Sequence, residues 1–452
     1  MFVEKIISIG LAHQSYIAGD GREAFVVDPK RDIDSYLKIA DSECCRIMFV
    51  FETHRNEDYL IGSLELEKQT GCRIIHGGRL DFGYGEPARD GDAFDIGSMR
   101  LQVIETPGHS PESLSFVLYP TSRQPWMVFT GDALFYGNAG RVDLLGEEKK
   151  FELAASLYDS LHDKLLMLGD HVIIYPGHGT GSACGGDIAD IPVSTIGYER
   201  LTNPLLKLSR EEFIARKMEE AIPLPPYFAR MADENHIGPP LIERTRIQPL
   251  DVSAFSKIMQ DCEIIDTRSP LSFAGGNIPG SYNIWLDGLV TFAGWVLGYD
   301  KDILLVTERQ EDVDTAGIYL MRIGLDRIKG YLCEGIEGWK NRGMALSMSG
   351  TETVTGLHEK LEDKKEVFLL DVREKGEYEN GHIPGAVNIY VGELESRLSE
   401  VPQDRQIVSI CSVGNRAELG ASILKRHSYD MVSNLSGGTI AWEKKGYPTE
   451  KL

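Results

Sequence analysis

Short apolar runs rich in β-branched and aromatic residues punctuate the first two hundred positions. Met48–Phe51, Leu101–Ile104, Trp126–Phe129 and Val172–Ile174 read as buried strands. Each leads into a polar segment: Thr53-His54-Arg55-Asn56-Glu57-Asp58-Tyr59, Thr106-Pro107-Gly108-His109, Thr130-Gly131-Asp132 and Tyr175-Pro176-Gly177-His178. A sheet scaffold could therefore aim several histidines and acids at one point. Helical spacing begins at Leu64–Lys68 and recurs over Phe151–Leu168, where Phe151, Leu153, Leu157, Leu161 and Leu165 share a face. Beyond 208, charged helix-like sequence gives way to Pro223-Leu224-Pro225-Pro226 and Gly238-Pro239-Pro240, which predicts a terminal helix and linker over 208–249.

The rest of the chain repeats itself. Asp266-Thr267-Arg268, Phe273 and Gly276-Asn277-Ile278-Pro279-Gly280 return as Asp371-Val372-Arg373, Tyr378 and Gly381-His382-Ile383-Pro384-Gly385. Gly338-Trp339 and Ala441-Trp442 extend the match near the two ends. A period of about a hundred residues signals duplicated domains, because solenoid repeats are much shorter. Strands alternate with helices in both copies, so each is expected to form a small α/β domain with a largely parallel sheet. The predicted organisation is 1–207, the 208–249 segment, 250–348 and 355–452.

Composition narrows the function classes. The 452 residues and 42% apolar content support several packed cores. A net charge of −22 argues against a general nucleic-acid or anionic-membrane partner. No apolar run is long enough to span a bilayer, and the first ten residues lack a secretory core. Seven scattered cysteines then predict reduced thiols and a cytoplasmic location.

One cysteine stands apart. The strand candidate Ile407–Ile410 runs into Cys411-Ser412-Val413-Gly414-Asn415-Arg416, and Ala417–Lys425 reads as a helix. A cysteine at such a turn lies under converging backbone N–H groups and a helix N-terminus. Arg416 is expected to add positive charge, and both effects favour a thiolate. In the first copy, Ile303–Val306 leads instead into Thr307-Glu308-Arg309-Gln310-Glu311-Asp312, so that copy is predicted to be catalytically silent.

The repeated Asp-x-Arg and Gly-His-Ile-Pro-Gly patterns, with the cysteine loop, resemble the rhodanese family. That resemblance implies two rhodanese-like α/β domains, with Cys411 and Arg416 as catalytic residues and Cys411 carrying sulfur between donor and acceptor thiols. The first polar segment resembles the His-x-His-x-Asp-His motif of the metallo-β-lactamase superfamily, with Asn56 and Tyr59 replacing two histidines. Gly131-Asp132-Ala133-Leu134-Phe135, Gly140-Arg141-Val142-Asp143-Leu144 and the run from Gly177 to Gly185 extend this likeness to the glyoxalase II-related persulfide dioxygenases. It implies an αββα sandwich preceding the two rhodanese-like domains, and His54, His109 and Asp132 as ligands of one metal. Two imidazoles and a carboxylate suit Fe(II), one per chain, with zinc as the alternative. Asp58 and His178 are expected to orient those ligands or to bind a second cation, whereas Asn56 and Tyr59 fill vacated volume. Arg141 and Asp143 are expected to form an ion pair, and Cys184 to pack close to His178.

Together the two likenesses imply a fusion that oxidises a low-molecular-weight thiol persulfide (glutathione, coenzyme A or similar) with dioxygen to sulfite. Cys411 would transfer sulfane sulfur to sulfite, giving thiosulfate, or to a thiol. A homo-oligomer is expected. The competing readings are a sulfurtransferase with a non-catalytic or zinc-loaded first domain, and a persulfide sensor or scaffold. Loss of two histidines disfavours a dinuclear zinc hydrolase.

Overall fold

The computed structural model describes every residue except Ser122, Arg123, Ala183, Gly186, Ala221, Arg244 and Thr245. Ala183, part of the glycine-rich run after His178, thus lies outside the described residues. The chain divides into two units, one over 1–244 with 322–324, the other over 245–321 with 325–452.

Two six-stranded sheets build the first unit. β1 (Phe2–Ser8), β2 (His13–Asp20), β3 (Glu23–Val27), β4 (Arg46–Phe51), β5 (Arg73–Gly77) and β6 (Glu86–Ala88) lie side by side in that order. The second sheet contains β7 (Ala93–Ile96), β8 (Met99–Glu105), β9 (Leu114–Tyr119), β10 (Met127–Gly131), β11 (Ile173–Pro176) and β12 (Ser194–Thr195). Phe25, Phe51, Phe116 and Phe129 fill the space between the sheets, and the Phe51 and Phe116 rings lie 5.0 Å apart. Helix Glu147–Asp163 covers the outer face of the second sheet through Leu153, Leu157 and Leu161. Helices Asp34–Ser42 and Ser63–Thr70 cover the first through Tyr36, Ala40 and Leu66. Strand β9 is apolar on both faces because both are covered, the pattern of an αββα sandwich.

Strand direction positions the polar segments. β8 and β10 both run antiparallel to β9, and β10 runs parallel to β11, so all three end at the same edge. β4 of the other sheet ends there too, and Leu114 N donates to Thr53 O at 2.6 Å across the gap. Gly131 makes this approach feasible, since its φ is +50° and a Cβ there would lie 2.4 Å from Thr53 Oγ1.

Two local expectations need correction. The helical face predicted over Phe151–Leu168 stops at Lys164, whose φ and ψ of −123° and −65° break the ladder before a 3₁₀ turn at Leu165–Leu168. The 208–249 segment holds two helices, Arg210–Glu219 and Phe228–Ile237, the second lying between the proline clusters. Buried Phe228, Met231 and Asn235 tie that helix down, so much of the predicted linker is part of the first unit's packing.

In the second unit, β13 (Pro249–Leu250), β14 (Cys262–Asp266), β15 (Tyr282–Asn283), β16 (Asp302–Val306) and β17 (Ile328–Leu332) form a parallel sheet ordered β13-β17-β16-β14-β15. β18 (Gly350–Thr353), β19 (Val367–Asp371), β20 (Val387–Asn388), β21 (Gln406–Ile410) and β22 (Val432–Ser436) repeat that order. The repeated residues explain the shared fold. Arg268 Nη2 donates to Asp266 Oδ2 at 2.6 Å and to Gly276 O at 2.8 Å, and Arg373 makes the same two bonds to Asp371 and Gly381. Trp339 and Trp442 each donate an indole N–H at 2.8 Å to a carbonyl six residues on.

Glu418, fully buried in helix Asn415–Arg426, is bonded by the Ser349 hydroxyl. Burial lifts its pKa from 4.5 to about 7. Its protonated form therefore supports the fold below about pH 4.5, and that support is lost as pH rises through about 7. Relative to the Glu418→Gln variant, wild type should lose roughly 3 kcal/mol of stability across that interval, read from urea unfolding at several pH values. Parallel pH profiles would contradict the assignment.

Candidate metal centre and sulfur-carrier loop

At the common edge of the first unit, His54, His109 and Asp132 come together. His109 Nε2 lies 3.6 Å and His54 Nε2 3.9 Å from Asp132 Oδ2. All three side chains are buried. His109 Nδ1 is 2.9 Å from Arg141 O, which must accept a proton, so in the neutral ring the Nε2 lone pair is bare. Thr53 spends its hydroxyl proton on Asp28 Oδ2 at 2.6 Å, so His54 Nδ1, 2.9 Å from Thr53 Oγ1, donates and His54 Nε2 is bare as well. Neither Nε2 has a hydrogen-bond partner. Burial lowers the His54 pKa from 6.5 to about 4, which keeps the ring neutral and able to ligate. Burial also acts against charge on His109, but Glu57 and Asp132 outweigh it and raise its pKa.

His178 is occupied differently. Its Nδ1 lies 2.9 Å from Asp132 Oδ1, and its Nε2 lies 2.9 Å from Asp58 Oδ2. Burial disfavours the charge, yet the two carboxylates prevail and hold the imidazolium pKa well above 6.5. The same ion pairing keeps Asp132 well below the usual carboxylate range, against the cost of burial. Both nitrogens of His178 are thus engaged by carboxylates, one of them Asp132. Cys184 lies close by, its sulfur within 4.8 Å of the Asp58 and His178 ligand atoms.

The two replaced positions make local contacts. Asn56 folds back so that Nδ2 donates to His54 O at 3.2 Å, and the Tyr59 ring packs tilted against His13 with centroids 4.0 Å apart. Arg141 pairs with Asp143 at 2.6 Å and also donates to Ile222 O. Sequence reasoning passed over two contributors. Glu57, buried to 3% exposure, places Oε2 3.7 Å from His109 Nε2. Asn235 lashes the first ligand loop in place, donating to Asn56 O at 2.7 Å and Tyr59 O at 2.8 Å and accepting from Ile61 N at 3.0 Å. Its position between proline clusters carried no signal, whereas Glu57 was visible inside the motif as an acid next to Asp58. Bare, buried donor atoms of imidazole and carboxylate type fit a divalent cation, since each would otherwise be desolvated without compensation.

In the second unit, Cys411 follows β21 and is 1% exposed. Gly414 N donates to its sulfur at 3.0 Å. Gly438 packs under the loop, where a Cβ would lie 2.0 Å from Cys411 O. Arg416 interacts electrostatically with Cys411, though it is not a free charge. Glu377 grips it at 2.5 and 2.7 Å, and Ser412 Oγ accepts a bond from it at 2.9 Å. In the first copy Arg309 pairs with Glu311 and Asp312. A cavity of about 300 Å³ lined by Cys262, Lys301, Glu395 and Arg426 opens at the opposite, N-terminal strand edge, remote from the carboxyl ends where parallel sheets bind ligands.

The chain's likenesses match this division. The Rhodanese-like domain family matches residues 251–342 and 353–445. The mitochondrial persulfide dioxygenase ETHE1 of Bos taurus is 32% identical over 223 residues, 47% of this chain and 77% of that protein. A sulfurtransferase of Allochromatium vinosum is 37% identical over 92 residues, 20% of this chain and 86% of its own. The crystal structure of a metallo-β-lactamase from Staphylococcus aureus superposes with a TM-score of 0.67 at 31% identity, covering 74% of this chain and 98% of that one.

Asn235→Ala would strand the Asn56, Tyr59 and Ile61 backbone groups. The expected loss is about 2–3 kcal/mol in urea unfolding, accompanied by weaker metal retention after dialysis. Unfolding within about 0.5 kcal/mol of wild type would show that the loop holds itself.

Proposed function

Because the chain belongs to the persulfide dioxygenase family of the metallo-β-lactamase fold and carries two rhodanese-like domains, we propose that it is a sulfur-metabolising enzyme with two linked activities. The first unit oxidises a low-molecular-weight thiol persulfide, and the second passes sulfane sulfur through Cys411. The observation that carries the first half is the pair of bare Nε2 atoms facing Asp132, while His178 spends both nitrogens on carboxylates. That arrangement suits one cation, not two.

His54, His109 and Asp132 would hold it, Fe(II) in this reading and zinc in the alternative. Fe(II) would supply a redox-active Lewis acid for a persulfide and dioxygen, whereas zinc would supply Lewis acidity alone. The net reaction converts persulfide, dioxygen and water into thiol, sulfite and two protons. The protein's own contribution is orientation and charge. Arg141 O and Thr53 fix the two ring tautomers, and His178 keeps Asp132 ionised in a site closed to bulk water.

At the second site, Cys411 Sγ attacks the outer sulfur of a persulfide or thiosulfate. A new S–S bond forms as the donor's S–S bond breaks, and the electron pair leaves with the thiol or sulfite. Attack by sulfite or another thiolate on the outer sulfur then restores Cys411. The Gly414 N–H, 3.0 Å from Sγ, stabilises negative charge on that sulfur. Covalent linkage of the units raises the effective concentration of sulfite and persulfide at the transfer loop.

Protein purified without oxygen is expected to retain one iron per chain and to consume dioxygen with glutathione persulfide. His109→Ala should abolish both, whereas Cys411→Ser should abolish only sulfur transfer to sulfite. Oxygen consumption absent from the iron-loaded chain, with Cys411-dependent transfer intact, would reduce the protein to a sulfurtransferase. Transfer persisting in Cys411→Ser would remove the loop assignment.

A further inference from the structure

We propose that Glu57 is a fourth protein ligand, so that the cation is held by two imidazoles and two carboxylates. This rests on the one-cation reading above and deepens it. Glu57 occupies an unspecified position of the superfamily motif His-x-His-x-Asp-His, between the residues that replaced two histidines.

Its carboxylate has no other strong role. Oε1 meets Arg55 Nη2 only at 3.5 Å, and Oε2 is buried without any hydrogen-bond partner. Oε2 instead faces His109 Nε2 at 3.7 Å. Because His109 Nδ1 donates to Arg141 O, the neutral ring turns its Nε2 lone pair toward that carboxylate in a dry site. Bare acceptors repel, so positive charge belongs between them. A shared proton would draw the pair to about 2.8 Å. Two donors each about 2.1 Å from one ion stand roughly 3–4 Å apart instead. The observed gap, like the 3.6 and 3.9 Å gaps to Asp132, lies in that interval. His54, Glu57 and His109 also place their ligand atoms within 4.8 Å of one another.

The second carboxylate alters what the site accepts. Two carboxylates neutralise a divalent ion, and the added oxygen donor favours Fe(II) or Mn(II) over softer partners. An octahedral ion bound by four protein atoms retains two positions, enough for one sulfur and one dioxygen. The motif has thus exchanged lost imidazoles for a neighbouring acid.

The test loads the full-length chain with Co(II), Mn(II) or Fe(II) without oxygen, comparing wild type, Glu57→Gln, Glu57→Asp and His109→Ala. Metal per chain, affinity and the visible Co(II) absorption are read, with circular dichroism and apo-protein melting as controls for folding. Glu57→Gln is expected to weaken affinity by about 10–100-fold or more and to shift the Co(II) bands. Glu57→Asp, which keeps the charge on a shorter arm, should move the bands with a smaller loss of affinity. A folded Glu57→Gln chain with unchanged affinity and an unchanged Co(II) spectrum would overturn the proposal while His109→Ala still lost the ion. Should wild type hold no ion, or His109→Ala bind as tightly as wild type, the one-cation reading itself falls and Glu57 with it.

Discussion

The bridge that His178 makes between Asp132 and Asp58 is the interaction around which the candidate centre of the first unit is arranged. The doubly bonded imidazole fixes Asp132 with one oxygen turned toward His54 and His109. Everything around the centre follows from that division of labour. Thr53 and the Arg141 carbonyl set the ring tautomers, and Asn235 holds the loop on which His54 rides. Burial makes each of these bonds costly to lose, since a desolvated polar group has no water to fall back on.

The fold was legible where local chemistry decides it. Apolar runs marked β4, β8, β10, β11, β16 and β21, and the turn residues after them marked the edge at which the chemistry gathers. Equal spacing of Asp266-x-Arg268 and Asp371-x-Arg373 announced the duplicated parallel sheets. Legibility failed where non-local packing intervened. Apolar spacing alone could not foresee the helix break at Lys164, and proline clusters suggested a linker where Phe228–Ile237 packs as a helix. Periodicity describes one face of one element, whereas these outcomes depend on what lies opposite.

The candidate centre was likewise half visible. Motif spacing picked out His54, Asp58, His109, Asp132 and His178, and the structure gathers all five. Spacing could not rank them, because whether an imidazole can ligate depends on which of its nitrogens is already bonded. Glu57 was overlooked because attention went to the replaced histidines and not to the acid between them. At the other site, Arg416 interacts electrostatically with Cys411 while pairing with Glu377, which also bonds Ser412. Gly414 and the start of its helix add backbone polarity at Cys411.

The arginine staple has a life apart from catalysis. Arg268 binds Asp266 and Gly276 just as Arg373 binds Asp371 and Gly381, although a cysteine follows the equivalent strand only in the latter copy. Each module's sheet is thus braced in the same way whether or not a cysteine stands in the loop above it. Thr307–Asp312 and Cys411–Arg416 accordingly differ in sequence over one common strand order.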